Sequence, residues 1–242
     1  MDQIPDLMTL LKSGAHFGHK LSRRHPKMKP YIFMAKNGFH IINLEETQVK
    51  LKEALEFVTK IVANGGTILF LGTKKQAQRI IVQAATSCQM SYITERWLGG
   101  TLTNFTAISR VVKKYLDLKE KKDKGDLKKY TKKEQLEFDD QIQKLQKTVG
   151  GIVTLNKIPD AIFICDIKKE KTALSEAIKR NIPIVAICDT NADPTKVNYP
   201  IPANDDAVKS LELIINLVAQ AVQEGLKQKE TKHSEATNNK TK

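Results

Sequence analysis

Three stretches of this chain are almost wholly apolar and rich in β-branched residues: 67–71 (TILFL), 161–165 (AIFIC) and 184–188 (IVAIC). None alternates apolar with polar. A strand covered on both faces needs no polar alternation, so these runs predict interior strands of a parallel sheet with helices on either side. Residues 40–43 and 91–94 are weaker strand candidates. Helical stripes lie between the runs. Residues 44–64 align Leu44, Leu51, Leu55, Val58 and Val62, and residues 74–88 and 170–180 give shorter helices. Residues 205–224 place Val208, Leu211, Ile215, Val218 and Val222 at spacings of three and four, with Asn204 as an N-cap and Gly225 as a C-terminal stop.

This alternation predicts an α/β fold, a flavodoxin-like or Rossmann-like three-layer sandwich with a mainly parallel sheet. One segment interrupts it. Between about 104 and 149 there is no strand signal; Ile108, Val111, Tyr115 and Leu118 step by 3, 4, 3, and Phe138, Ile142, Leu145 and Val149 by 4, 3, 4. Gly125-Asp126 separates the two stripes. The pattern predicts an inserted antiparallel helical, coiled-coil hairpin, each arm about 30 Å long at the α-helical rise. The expected organisation is a sandwich from residues 1–103 and 158–226, a protruding hairpin at 104–157, and a disordered basic tail at 227–242.

Charge narrows the partners. Among 242 residues, 40 Lys and Arg face 27 acids, a formal +13, and the hydrophobic fraction of 40% suits a folded body. The excess is segregated. Residues 16–40 hold Lys20, Arg23, Arg24, Lys27, Lys29 and Lys36 and no acid. Residues 66–114 have Glu95 as their single acid, whereas 160–224 read as an acidic counter-region. A concentrated basic face is the electrostatic footprint of a nucleic-acid binder. No run approaches the ~18 apolar residues of a membrane span, and the start has neither a signal-peptide nor a transit-peptide pattern. Cys88, Cys165 and Cys188 lack metal-ligand spacing and are expected to be buried thiols. Together these features predict a soluble intracellular protein.

Few motifs carry chemistry. GTKKQ at 72–76 follows a strand and opens a helix; Thr73 and Gln76 have capping-box spacing, and Lys74 and Lys75 in the first turn would suit a bound phosphate. The glycine patterns of a P-loop or dinucleotide fold are absent. His16 and His19 have the spacing of a two-imidazole metal site, with Asp189 or Asp205 to complete it; packing or RNA-facing roles are the competing reading, and no metal is assigned. DTNADP at 189–194 imitates a calcium loop, but Pro194 stands where glycine is needed and Pro200 where glutamate is, so an Asx-turn is expected instead. KLSRRHPKMK at 20–29, stiffened by Pro26 and Pro30 and followed by Tyr31 and Phe33, is the strongest physical signal: cations for phosphates and aromatics for unpaired bases.

These residues also resemble a known family, the bacterial-type small-subunit ribosomal protein S-two family, over about residues 5–226. The likeness rests on GAHFGH at 14–19, HPKMKPYIF at 25–33, NGFHII at 37–42, GTILFLGTKKQA at 66–77, the long run ERWLGGTLTNF at 95–105, Pro159-Asp160, and CDTNADP at 188–194. The chain departs from it at Arg23-Arg24-His25, where an aromatic is common, and at Asp166-Ile167, where Asp-Pro is common. The resemblance implies a structural, non-enzymatic component of the small ribosomal subunit. It implies contact with ribosomal RNA between head and body, a role in late assembly, and docking of neighbouring ribosomal proteins, including the S-one protein where present. It implies no cofactor, no membrane and no small-molecule substrate, and a cytoplasmic, ribosome-bound location, or an organellar one. Expected RNA-binding residues are Lys20, Arg23, Arg24, Lys27, Lys29, Lys36, Lys74, Lys75, Arg96, Lys113 and Lys114, with Trp97 as a core or hinge anchor. Two other functions remain open on the residues alone: a nucleotide-binding module using 72–76, and a scaffold whose hairpin binds protein.

Overall fold

A computed structural model describes residues 4–238. Besides a strand at the 40–43 candidate, its N-terminal part contains elements that periodicity does not reveal. Helix α1 (Leu7–Ser13) is capped by the Asp6 carboxylate, which accepts from the Thr9 N–H at 3.0 Å. Strands β1 (Phe17–Lys20), β2 (Ile32–Lys36) and β3 (Phe39–Ile42) form a small antiparallel sheet in the order β1-β3-β2. β2 and β3 are joined by Asn37 (φ 50°) and Gly38 (φ 82°), the left-handed pair that matches the twist of a tight hairpin. Residues 16–40, the acid-free basic stretch, are thus largely strand and 3₁₀ turn.

Helix α2 (Leu44–Ala63) leads into the main sheet: β4 (Ile68–Leu71), α3 (Lys75–Ser87), β5 (Tyr92–Ile93), the helical pair α4 (Phe105–Asp123) and α5 (Lys132–Val149), β6 (Ala161–Ile164), α6 (Lys171–Lys179), β7 (Ile184–Cys188), β8 (Tyr199–Pro202) and α7 (Val208–Asn238). The five strands β4–β8 are parallel in the order β5-β4-β6-β7-β8. This is the flavodoxin-type order, with its reversal between β4 and β6. β8 escaped the sequence reading because Tyr-Pro-Ile-Pro has no strand pattern; prolines are tolerated there because it is an edge strand.

Alternate strand residues feed two cores. Ile68, Phe70, Phe163, Val185, Ile187 and Ile201 pack with α2, α3 and α7 on one side. Leu69, Leu71, Ile162, Ile164, Ile184 and Ala186 pack on the other with Trp97, Leu102, α6 and the hairpin's buried stripe of Ile108, Tyr115, Ile142 and Val149. This is why the strands read as continuous apolar runs. The hairpin has the predicted geometry, with Gly125 left-handed at its turn, a Thr131–Glu134 capping box starting α5, and Lys122 paired with Asp139 at 2.8 Å across it.

Two local expectations are corrected. Gly225 does not end the last helix. α7 runs on to Asn238, through the first part of the expected disordered tail, and residues 239–242 lie outside the described residues. Gly225 is instead a contact point: a Cβ there would lie 2.8 Å from the Thr59 carbonyl oxygen and 2.8 Å from Val62 Cβ, so glycine lets α7 approach α2. The 73–76 capping box does not form either. α3 begins at Lys75, and Thr73 directs its N–H and hydroxyl to the Glu170 carboxylate.

Candidate nucleic-acid interface

The carboxyl edge of the main sheet, where doubly wound folds usually take ligands, is filled by the protein itself. The Lys74 ammonium, just after β4, lies 3.0 Å from Asp166 after β6, 2.7 Å from Asp205 and 2.8 Å from Asp206 after β8. Burial opposes its charge, but the three carboxylates outweigh burial and raise its pKa. Asp205, 2% exposed, is pushed up to about 7 by burial and by the charges of Asp189 and Asp166, against the pull of Lys74. Glu170 is likewise raised by burial while accepting both hydrogen bonds of Thr73. Of the two lysines that would suit a phosphate at 72–76, Lys74 is therefore committed to protein carboxylates, while Lys75 stays exposed.

The small sheet lies over this edge. His25 N–H donates to the Thr190 carbonyl at 2.8 Å, His19 N–H to Thr190 Oγ1 at 2.9 Å, and Asn204 N–H to the Ala15 carbonyl at 3.0 Å. Gly18 is forced by contact, since a Cβ would lie 2.5 Å from Thr190 Cγ2. The His19 ring bridges Asp189, 3.1 Å from Nδ1, and Asp206, 3.5 Å from Nε2. Its hydrogen bond to Asp189 holds its pKa above the usual value. His16 does not join it: that ring packs at a tilt against Phe17, centroids 4.0 Å apart, and burial lowers its pKa. The His16–His19 pair is thus no metal pair. His19, Asp205 and Asp206 do bring one ligand atom each within 4.8 Å of one another, but Asp205 and Asp206 are already bonded to Lys74. At the calcium-like stretch, Asp193 makes the expected Asx-turn, accepting from Thr195 N–H at 3.2 Å. All three cysteines are free and buried; burial pushes Cys88 up to about 11 and Cys165 and Cys188 further.

The other expected cations remain at the surface. Lys20, Arg23, Arg24, Lys27, Lys29, Lys36, Lys75, Arg96, Lys113 and Lys114 are all exposed. Among the described residues, Lys27 alone of these forms an ion pair, with Asp193 at 3.2 Å. Lys20 and Lys36 flank Phe39 across the small sheet. The expected aromatics divide: Tyr31 packs against the core, and Phe33 is 70% exposed.

One organising residue was missed. Glu176 on α6 is 7% exposed, and its carboxylate accepts from Trp97 Nε1 (3.1 Å), Gly100 N (2.8 Å), Leu102 N (3.0 Å), Thr103 N (3.1 Å) and Thr103 Oγ1 (3.1 Å). Burial disfavours its charge, but these bonds prevail and lower its pKa. The run 95–105 is a loop wrapped around one buried carboxylate, which presents Arg96 and starts α4; Trp97 is a buried anchor of that loop. The signal lay split across the chain, in donors rich in Gly and Thr and a glutamate on the core side of α6.

Comparison with known proteins agrees with this architecture. The profile of the family described as Ribosomal protein S2 matches residues 10–225. The chain is 46% identical over 233 residues to the small ribosomal subunit protein uS2 of Chloroflexus aggregans, covering 95% of this chain and 98% of the relative. It is 48% identical over 229 residues to uS2 of Roseiflexus castenholzii, covering 95% and 87%. With uS2 of Dehalococcoides mccartyi it shares 44% over 217 residues, covering 90% and 89%. A sandwich whose ligand edge is closed from within, an inserted helical hairpin and a cationic surface thus coincide with a full-length match, and the chain belongs to the ribosomal protein S2 family.

Proposed function

We propose that this protein is a structural, non-enzymatic constituent of the small ribosomal subunit that binds ribosomal RNA between head and body and supports late assembly. The observation that carries this reading is the acid-free stretch 16–40, folded into short strands and 3₁₀ turns with all six of its cations exposed. Phosphate neutralisation on such a surface gives affinity, and the fixed geometry gives fit to RNA shape. Lys75 and Arg96 extend the surface, Lys113 and Lys114 carry it onto α4, and the hairpin reaches across RNA helices. Neighbouring small-subunit proteins, including the S-one protein where present, are the further partners, and the working location is the ribosome-bound cytoplasmic pool. The filled carboxyl edge supports this reading over a nucleotide-binding module.

The test is sedimentation of tagged protein through a sucrose gradient at moderate salt. The parent comigrates with small subunits, and an Arg23→Ala/Arg24→Ala variant dissociates at lower salt. A parent that stays at the top of the gradient refutes the role. Saturable micromolar nucleotide binding by calorimetry would favour the module instead.

A further inference from the structure

The small antiparallel sheet has two unlike faces. The inner one is dry: His40 is 6% exposed, Ile42 is 1% exposed and Gly18 abuts Thr190. The outer face follows from the register, because directly paired residues project to the same side. Phe17 and Met34 both pair with Ile41, and Lys20 and Lys36 both pair with Phe39. The outer face therefore carries an apolar row, Phe17–Ile41–Met34, beside a row Lys20–Phe39–Lys36. Phe17 is 53%, Met34 46% and Phe39 43% exposed. Contiguous apolar surface of this kind on a soluble fold marks a binding site. Its chemistry is specific: two aromatic rings, one of them between two lysines, in a segment with no acid of its own. Asp206, an exposed carboxylate that lines one pocket with Lys20 and Phe39, is engaged by Lys74 and His19.

We infer that this outer face is a stacking platform for unpaired ribonucleotides. One base lies on Phe39 with its flanking phosphates on Lys20 and Lys36, and a second base lies on Phe17. The inference rests on the RNA-binding reading above and specifies the state of the RNA. A duplex hides the flat faces of its bases, so aromatic rings on an open sheet select single-stranded loops or bulges. Lysine stems beside the ring add apolar contact while their charged ends meet the backbone.

The experiment uses the full-length protein and two fluorescein-labelled probes, an unstructured 12-nucleotide RNA and a 12-base-pair RNA duplex, read by fluorescence anisotropy. The parent binds the single strand more tightly. A Phe17→Ala/Phe39→Ala variant with a parental melting curve loses about tenfold or more of its single-strand affinity, stays within about twofold on the duplex, and keeps its salt dependence. Phe39→Tyr retains the affinity. Equal losses on both probes, or no loss on the single strand, overturn the platform. A photo-crosslinking residue replacing Phe39 in assembled subunits captures RNA; capture of protein alone would also overturn it. Failure of the parent to enter small subunits refutes the broader reading. A double variant that enters them with parental single-strand affinity refutes the platform alone.

Discussion

Replacing Glu176 by glutamine tests the local logic most directly. The carboxylate receives five hydrogen bonds, three from backbone N–H groups, one from the Trp97 indole and one from the Thr103 hydroxyl. Two donors, Trp97 Nε1 and Leu102 N, are in fully buried bonds; the others reach partial solvent. Glutamine keeps one acceptor oxygen but turns an NH₂ toward groups that are themselves donors. A bond to a charged partner contributes roughly 1.5–3 kcal/mol, and an orphaned buried donor costs roughly 1–3 kcal/mol. Because the part-buried donors rehydrate, the expected loss is about 2–4 kcal/mol. That is a large share of the ~5–15 kcal/mol that holds a typical domain. With a urea slope of about 2–3 kcal/mol/M, the midpoint falls by about 1 M.

Trp97 is the only tryptophan and sits in the network, so its fluorescence reports the loop during urea titration. The pH dependence supplies a second readout. The folded pKa of Glu176 is depressed, so its contribution is present above the unfolded value, near 4.5, and is lost as pH falls through the lower folded value. The gap between parent and Glu176→Gln is therefore widest at neutral pH and closes below about pH 4.5. Midpoints that agree within about 0.2 M at pH 7, or a gap that does not narrow as pH falls below about 4.5, would refute the network as an ionised, load-carrying unit.

Other outcomes follow from the same contacts. Lys74→Met leaves Asp166, Asp205 and Asp206 without their cation and costs about 3–5 kcal/mol by urea denaturation. Because the folded pKa of Asp205 is raised to about 7, its proton is held in the fold, so this loss grows as pH rises from 5 to 8; a pH-independent loss would contradict the assignment. Gly225→Ala forces α2 and α7 apart and lowers the melting temperature, at a cost of about 1–3 kcal/mol; an unchanged melt would show that the helices yield freely. Replacing 123–138 by a short glycine-rich turn, just outside the Lys122–Asp139 pair, leaves the sandwich folded by circular dichroism and weakens entry into small subunits, whereas global unfolding would show the hairpin tip to be structural.

The parallel layer and the hairpin were legible because each rests on a period. Interior strands show unbroken apolar runs, and the hairpin shows 3-4 steps on both arms. What stayed hidden has no period. β8 is proline-rich, β1 holds only four residues, and β2 exposes Phe33 and Met34 on an edge where burial imposes no alternation. The misread signals obeyed longer-range demands. Thr73 looked like a cap but serves Glu170, nearly a hundred residues away, and Gly225 looked like a stop but answers the carbonyl of Thr59. The basic residues of 16–40 were identifiable from composition, yet the Phe39 row became visible only with the register.

The fate of the acids explains how a modest net charge becomes a strongly basic surface. Residues 160–224 read as an acidic counter-face in the sequence, but Asp166, Glu170, Glu176, Asp189 and Asp205 are all buried. They cap Thr73, hold the 97–103 loop, orient His19 and neutralise Lys74. No lysine or arginine is among the buried residues described. Half of that region's acids are thus used internally, as ligands for backbone and side-chain donors, while most lysines and arginines stay exposed. The surface is more basic than the formal +13 implies. The carboxylates that close the sheet's ligand edge are held on Lys74, His19 and backbone donors beneath a stretch that has no acid of its own, so the closed edge and the cationic outer surface belong to one arrangement.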